Sequence, residues 1–170
     1  MGYDFATAEG SYHFVPDYNL YPQTTKLPKS WNAWLDFLAY DIHNYDEGGL
    51  KISTEEKRLA ITKLENFIQK YPKFVAINDV EDLLEKYMQY YILPYAVYYN
   101  SDLIVAFDSD EKTGKEILRQ EYRNSYENFL KENKKSKYYP LVQEYYLLLR
   151  ENDFYKPENI KEWFKGKLNQ

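Results

Sequence analysis

Apolar residues recur at helical spacing through most of the chain beyond residue 30. Trp31, Trp34, Leu35, Leu38 and Ile42 fall on one stripe and predict a helix from an N-cap at Ser30 to about Tyr45. Gly48-Gly49 ends it. Ser53-Thr54-Glu55-Glu56 is a capping box. The helix it opens turns Ala60, Ile61, Leu64, Phe67, Ile68 and Tyr71 inward and stops at Pro72. A third helix starts at Asn78 or Asp79. Val80, Leu83, Leu84, Tyr87, Met88 and Tyr91 share its apolar face, while Glu81, Asp82, Glu85 and Gln89 lie elsewhere. Pro94 must kink or end it, because proline lacks an N–H and clashes with the preceding turn.

The segment after Pro94 has two readings. Tyr95–Tyr99 and Leu103–Phe107 flank Asn100-Ser101-Asp102 as a hairpin would; the same residues could continue a buried helix. Thr113-Gly114-Lys115-Glu116 matches a second capping box. It serves a helix that begins near Asp110, reaches Asn133, and buries Leu118, Tyr122, Tyr126, Phe129 and Leu130. Lys134–Lys137 is a basic loop. Tyr138–Asn152 is helical, and Pro157 suits the first turn of a final helix carrying Ile160, Trp163, Phe164 and Leu168. Residues 1–29 have no helical period and three prolines. They are expected to form an irregular arm, with Ser11–Val15 as a short strand and Phe14, Tyr18, Leu20 and Tyr21 as its packing residues. The expectation is a mainly α single domain over residues 30–170: about six helices in a bundle, with room for one short hairpin near 95–107.

The chain has 170 residues and no cysteine, which removes disulfides, thiolate metal sites and cysteine nucleophiles. No apolar run approaches the ~20 residues of a spanning helix. No basic-then-apolar leader opens the chain, and a cytoplasmic setting is expected. The net charge of −5 is uneven. Residues 1–111 hold 9 Lys/Arg against 18 Asp/Glu, and residues 112–170 hold 13 against 9. The acidic part favours a basic partner, since such a field raises association rates.

Catalytic and cofactor signatures are missing. His43 shares a helix face with Asp36, Tyr40 and Glu47, a conceivable but common cluster, and is not taken as a metal site. Asp108-Ser109-Asp110-Glu111 begins like a calcium loop, but Thr113 stands where the motif needs glycine and Arg119 where it needs glutamate. Asp108 and Asp110 read instead as helix N-terminal residues. Thr113-Gly114-Lys115-Glu116 lacks the first glycine of a phosphate loop. Lys131, Lys134, Lys135 and Lys137 beside Tyr138 and Tyr139 have the composition of a single-strand groove, although the pI near 5.2 opposes it.

Twenty tyrosines are the most unusual feature. A buried hydroxyl needs a partner, whereas a half-exposed tyrosine gives contact area at little entropic cost. Most are expected at helix rims, ring in and hydroxyl out, with a subset binding a partner. The resulting expectation is a non-enzymatic, cofactor-free stoichiometric inhibitor, such as a bacterial toxin-immunity protein occluding a basic nuclease-type toxin. Asp79, Glu81, Asp82 and Glu85 would steer and pair; Tyr90, Tyr98, Tyr99 and Trp34 would anchor. A phage-encoded inhibitor of a host defence protein and a nucleic-acid-binding module using Lys131–Lys137 are the alternatives.

Overall fold

A computed structural model describes residues 3–8, 11–20, 26–42, 44–46, 49–50, 52–92 and 106–168. Among them are six helices: α1 (Lys29–Asp41), α2 (Thr54–Lys70), α3 (Ile77–Ile92), α4 (Gln120–Glu132), α5 (Tyr139–Glu151) and α6 (Ile160–Leu168). Three antiparallel strand pairs accompany them: β1 (Tyr3–Ala8) with β2 (Ser11–Pro16), β3 (Tyr45–Asp46) with β4 (Gly49–Leu50), and β5 (Phe107–Ser109) with β6 (Glu116–Leu118). The mainly α bundle is as the periodicity predicts. α2 packs on both α3 and α4, and α4 packs on α5.

The best-marked helix has the best-formed cap. Ser53 N–H donates to Glu56 Oε2 at 2.8 Å, and Glu56 N–H donates to Ser53 Oγ at 3.2 Å. Two donors that the first turn would leave orphaned are thereby satisfied. α1 differs from its expected form. Pro28, not Ser30, stands at its N-cap, with its carbonyl accepting from Asn32 N–H at 3.1 Å and no side chain capping. The helix closes at Asp41, where Asn44 N–H turns back to the Asp41 carbonyl at 2.9 Å before β3.

The second apparent capping box is a turn. Asp110 organises it: Lys112 N–H and Thr113 Oγ1 donate to its carboxylate at 3.0 and 2.8 Å, and Gly114 takes φ +68°. This turn joins β5 to β6, so α4 begins at Gln120, ten residues after Asp110. Asp108, expected at a helix start, lies on β5 and pairs with Arg119 at 2.8 Å. Most of the candidate hairpin at 95–107 lies outside the described residues; the observed pair starts at Phe107. Pro157 precedes the last helix rather than entering it, its carbonyl accepting from Ile160 N–H at 3.2 Å.

The short strand expected at Ser11–Val15 is β2, and β1 pairs with it, so residues 3–8 and 11–16 of the N-terminal segment form a hairpin. β1 and β2 pair over six positions, centred between Phe5–Phe14 and Ala6–His13. Its aromatic residues do not pack inward as expected of Phe14, which is 74% exposed.

Two aromatic groups fill the core. Trp34, Phe37, Phe67 and Phe74 join α1 to α2 and the turn after it, with ring centroids 5.2–6.5 Å apart. Tyr91, Tyr126, Phe129 and Tyr145 join α3, α4 and α5; Tyr91–Tyr126 and Tyr126–Tyr145 meet edge to face at 5.2 and 5.5 Å. Such pairs add roughly 0.5–1.5 kcal/mol each beyond area burial. Tyr87, Tyr91, Tyr126 and Tyr145 are fully buried, so these tyrosines belong to the core and not to its rim. Three of these hydroxyls, those of Tyr87, Tyr91 and Tyr126, have partners built in. Tyr87 donates to Asp41 Oδ1 at 2.7 Å, Tyr91 shares a 3.1 Å bond with Ser125 Oγ, and Tyr126 donates to the Tyr91 carbonyl at 3.1 Å.

Candidate functional site

The apolar stripe of α3 decides where its carboxylates go. Val80, Leu84, Tyr87, Met88 and Tyr91 are buried against α2 and its neighbours. Asp79, Glu81, Asp82 and Glu85 are therefore left in solvent within two turns. At 100° per residue they spread over nearly half the helix circumference. Glu81 and Glu85 take the flank toward the loop 133–138, where both raise the pKa of Tyr138. Asp82 points away from the core. Asp79 lies on the other flank, on the same side as half-buried Tyr90. No ion pair among the described residues engages these four carboxylates. Elsewhere Glu55, Asp108, Glu116, Glu127, Glu132 and Glu144 are each held by an arginine or lysine.

The lysine loop is a neighbour of this face, a proximity that nothing in the linear sequence marks. Ser136 Oγ donates to Glu65 Oε1 of α2 at 2.7 Å, and Lys137 N–H donates to the same oxygen at 3.1 Å. One carboxylate thereby pins the loop. A cavity of about 600 Å³ opens beneath it, lined by Lys131, Lys134, Lys135 and Lys137 together with Glu65 and Glu81. Lys137 Nζ stands 4.9 Å from the centroid of the Tyr138 ring. Burial first, then Glu85, Glu65 and Glu81, push the Tyr138 hydroxyl up to about 12.

Behind the cavity runs a polar network that ties α2 to α4. Arg58 grips Glu55 from Nε and Nη2 at 2.7–3.0 Å and donates from Nη1 to Asn133 Oδ1 at 2.9 Å. Ser125 Oγ donates to Glu55 Oε2 at 3.0 Å, and Asn133 Nδ2 donates to Thr62 Oγ1 at 2.7 Å. Burial alone would raise the Glu55 carboxyl, but the bonds from Arg58 and Ser125 and the guanidinium charge outweigh it and hold it low. A carboxylate so fully engaged by donors serves as a structural tie; a general base needs a free lone pair aimed at substrate. Lys57 is buried nearby. Burial lowers its ammonium pKa, with Glu121 opposing.

The predicted anchors separate. Trp34 is 6% exposed and cannot be an exposed anchor, because Phe37, Phe67 and Phe74 surround it. It is one of the residues lining a groove of about 400 Å³ between α1 and α2, beside Tyr40, Lys63, Lys70 and Tyr71. Tyr98 and Tyr99 lie outside the described residues, as do His43 and Glu47. No group of three or more metal-ligating side chains occurs among the described residues, and no helix there is long and apolar enough to cross a membrane. Sequence reasoning missed the exposed aromatics of the hairpin, Tyr3, Phe5, Tyr12 and Phe14. Their alternation at positions 3, 5, 12 and 14 was the signal that could have found them.

Comparison with family models, with curated proteins and with solved structures finds no match to this chain.

Proposed function

We propose that the protein is a stoichiometric protein-binding inhibitor, in the manner of a toxin-immunity protein, that covers a basic site on its partner with the outer face of α3. One contrast carries this reading. Four carboxylates of α3 crowd in solvent within two turns of one helix, and among the described residues no ion pair engages them, whereas Glu55, Asp108, Glu127 and Glu144 are each held by an arginine or lysine. Asp79 and Asp82 lie farthest around the helix from the lysine loop and carry the steering, with exposed Lys86 between them leaving the face net negative; Glu81 and Glu85 meet a field tempered by Lys131–Lys137. Tyr90, half-buried on the same side of α3 as Asp79 and about three turns further along, supplies an aromatic contact of the kind enriched at binding hot spots. The polar network between α2 and α4 pre-organises the bundle, which reduces the entropy lost on binding.

The test is capture from the source cell on immobilised protein. Wild type should retain a basic protein whose association slows as salt rises. Asp79→Lys with Asp82→Lys should retain far less of it, at unchanged circular dichroism. Equal retention by both sinks the reading.

A second reading draws on the lysines that converge around the 600 Å³ cavity with the Tyr138 ring beside them, an arrangement suited to a single-stranded nucleic acid. Filter binding with single-stranded RNA at low salt decides it. Absence of binding there removes it.

A further inference from the structure

Among the described residues, nothing covers the aromatic side of the N-terminal hairpin. Strand alternation places positions 3, 5 and 7 of β1 and 12, 14 and 16 of β2 on one side of the ribbon. The register pairs Tyr3 with Pro16, Phe5 with Phe14, and Thr7 with Tyr12. Tyr3, Phe5, Tyr12 and Phe14 are 65%, 57%, 78% and 74% exposed, and the Phe5 and Phe14 rings meet at 4.8 Å. No charged residue falls at these six positions. Residues 3–17 contain Asp4, Glu9 and Asp17 and no lysine or arginine. A nucleic acid or an anionic membrane would meet no cation here. The face calls for an uncharged apolar surface.

We propose that this surface is the same face of a second copy of the chain. The order of residue sizes argues for it. β1 runs Tyr3, Phe5, Thr7 and β2 runs Tyr12, Phe14, Pro16. Because the strands are antiparallel, the tyrosines occupy one diagonal of the face and the smaller residues the other. Lay a second hairpin on it about a two-fold axis in the plane of contact. With the axis along the strands, Tyr3 of each copy falls over Pro16 of the other and Tyr12 over register position 7; with the axis across them, Tyr12 falls over Pro16 and Tyr3 over position 7. In both cases the phenylalanine pair falls over its equivalent. Large over small is what interdigitating layers need, and a two-fold contact must be self-complementary in this way.

At ~150–250 Å² for a whole aromatic side chain, full cover of the exposed parts amounts to roughly 410–690 Å² per copy and ~820–1,370 Å² per pair, which spans the ~1,000 Å² floor of a specific interface. A lone two-stranded hairpin is marginal in water, whereas two stacked pairs share a dry face. The contact is distinct from the α3 surface, so the two proposals fail separately.

Sedimentation of the full chain tests it. Wild type should run at twice the 20.6 kDa chain mass at micromolar concentration and dissociate on dilution. Phe14→Glu should run as a monomer with unchanged helical circular dichroism, and Asp79→Lys with Asp82→Lys should leave the mass doubled. Should Phe14→Glu lose its fold, Phe14→Cys replaces it. The chain has no other cysteine, so a short bis-maleimide should link two copies through that position. A wild type that stays monomeric overturns the proposal. So does a dimer that survives Phe14→Glu, or one that Phe14→Cys fails to cross-link.

Discussion

Arg58 and Asn133 are 75 residues apart in sequence and 2.9 Å apart in space, joined by the bond from Nη1 to Oδ1. The same guanidinium clamps Glu55 with its other edge, so one side chain holds the start of α2 against the end of α4. Its side chain is only 7% exposed. Replacing it by methionine keeps the packing stem and abandons Glu55 and Asn133. The expected loss is about 2–3 kcal/mol, below the ~3–5 kcal/mol of a fully buried pair because Glu55 is partly in solvent. Arg58→Lys keeps the charge without the fork and should lose about half as much. Urea titration measures both. A loss under about 1 kcal/mol for the methionine variant would show that the clamp is idle.

Acid should unfold the protein only below the ordinary carboxylate range. In Glu55 the donors outweigh burial; in Glu56 the side chain and backbone of Ser53, and in Glu127 the bonds from Tyr146 and Arg123, hold the folded carboxyl below its usual 4.5. A lowered folded pKa contributes stability that is complete above the unfolded value and is lost as pH falls through the folded one. The melting temperature should therefore stay level from neutrality to about pH 5 and then drop. Glu55→Gln should melt lower at neutral pH and fall less steeply in acid. An equal acid slope in both proteins contradicts this.

Alkali acts through the buried tyrosines. Burial lifts the hydroxyls of Tyr91 and Tyr126 far above the usual 10.0, and Tyr138 reaches about 12. A raised folded pKa gives stability that is full below 10.0 and disappears as pH rises through the folded value, because only the unfolded chain releases its protons. Phenolate absorbance should thus rise in two stages, exposed tyrosines first and the core together with unfolding. Tyr91→Phe should shift the second stage to higher pH. If all tyrosines titrate before circular dichroism changes, their burial is not what delays them.

Gly114 closes the β5–β6 turn at φ +68°, with open space around the position of a Cβ. Backbone conformation alone then sets the penalty for a side chain. Gly114→Ala should cost about 1–2 kcal/mol, and Gly114→Asn distinctly less, since asparagine tolerates the left-handed region. Thermal unfolding ranks the three proteins. Equal midpoints for alanine and glycine would mean that the turn relaxes.

These variants also mark where the linear pattern sufficed. Ser53 and Glu56 announce α2 because both halves of their cap lie within four residues. The stripe from Val80 to Tyr91 announces α3 because burial there follows a single period. Thr113 and Glu116 present the same spacing as a cap, yet the chain turns, since Asp110 captures two donors first and Gly114 accepts a conformation that helices avoid. Of the N-terminal hairpin, β2 was legible as a short strand at Ser11–Val15, but its pairing with β1 was not, because three prolines and an absent helical period suggest irregular chain. In the candidate site, solvent exposure of Asp79 to Glu85 was legible from the apolar stripe. The approach of Lys131–Lys137 was not, because the Glu65 bond that pins their loop spans more than 70 residues.

Arg58 answers at once to Glu55, to Asn133 and, through Glu55, to Ser125. Members of such a network do not contribute additively. In any lineage descended from this chain, a change at one of these four positions should arrive with a change at another, so that the positions drift as a block or stay fixed together. The tyrosine hydroxyl of Tyr91 hangs from the same block through Ser125, and its history should follow theirs.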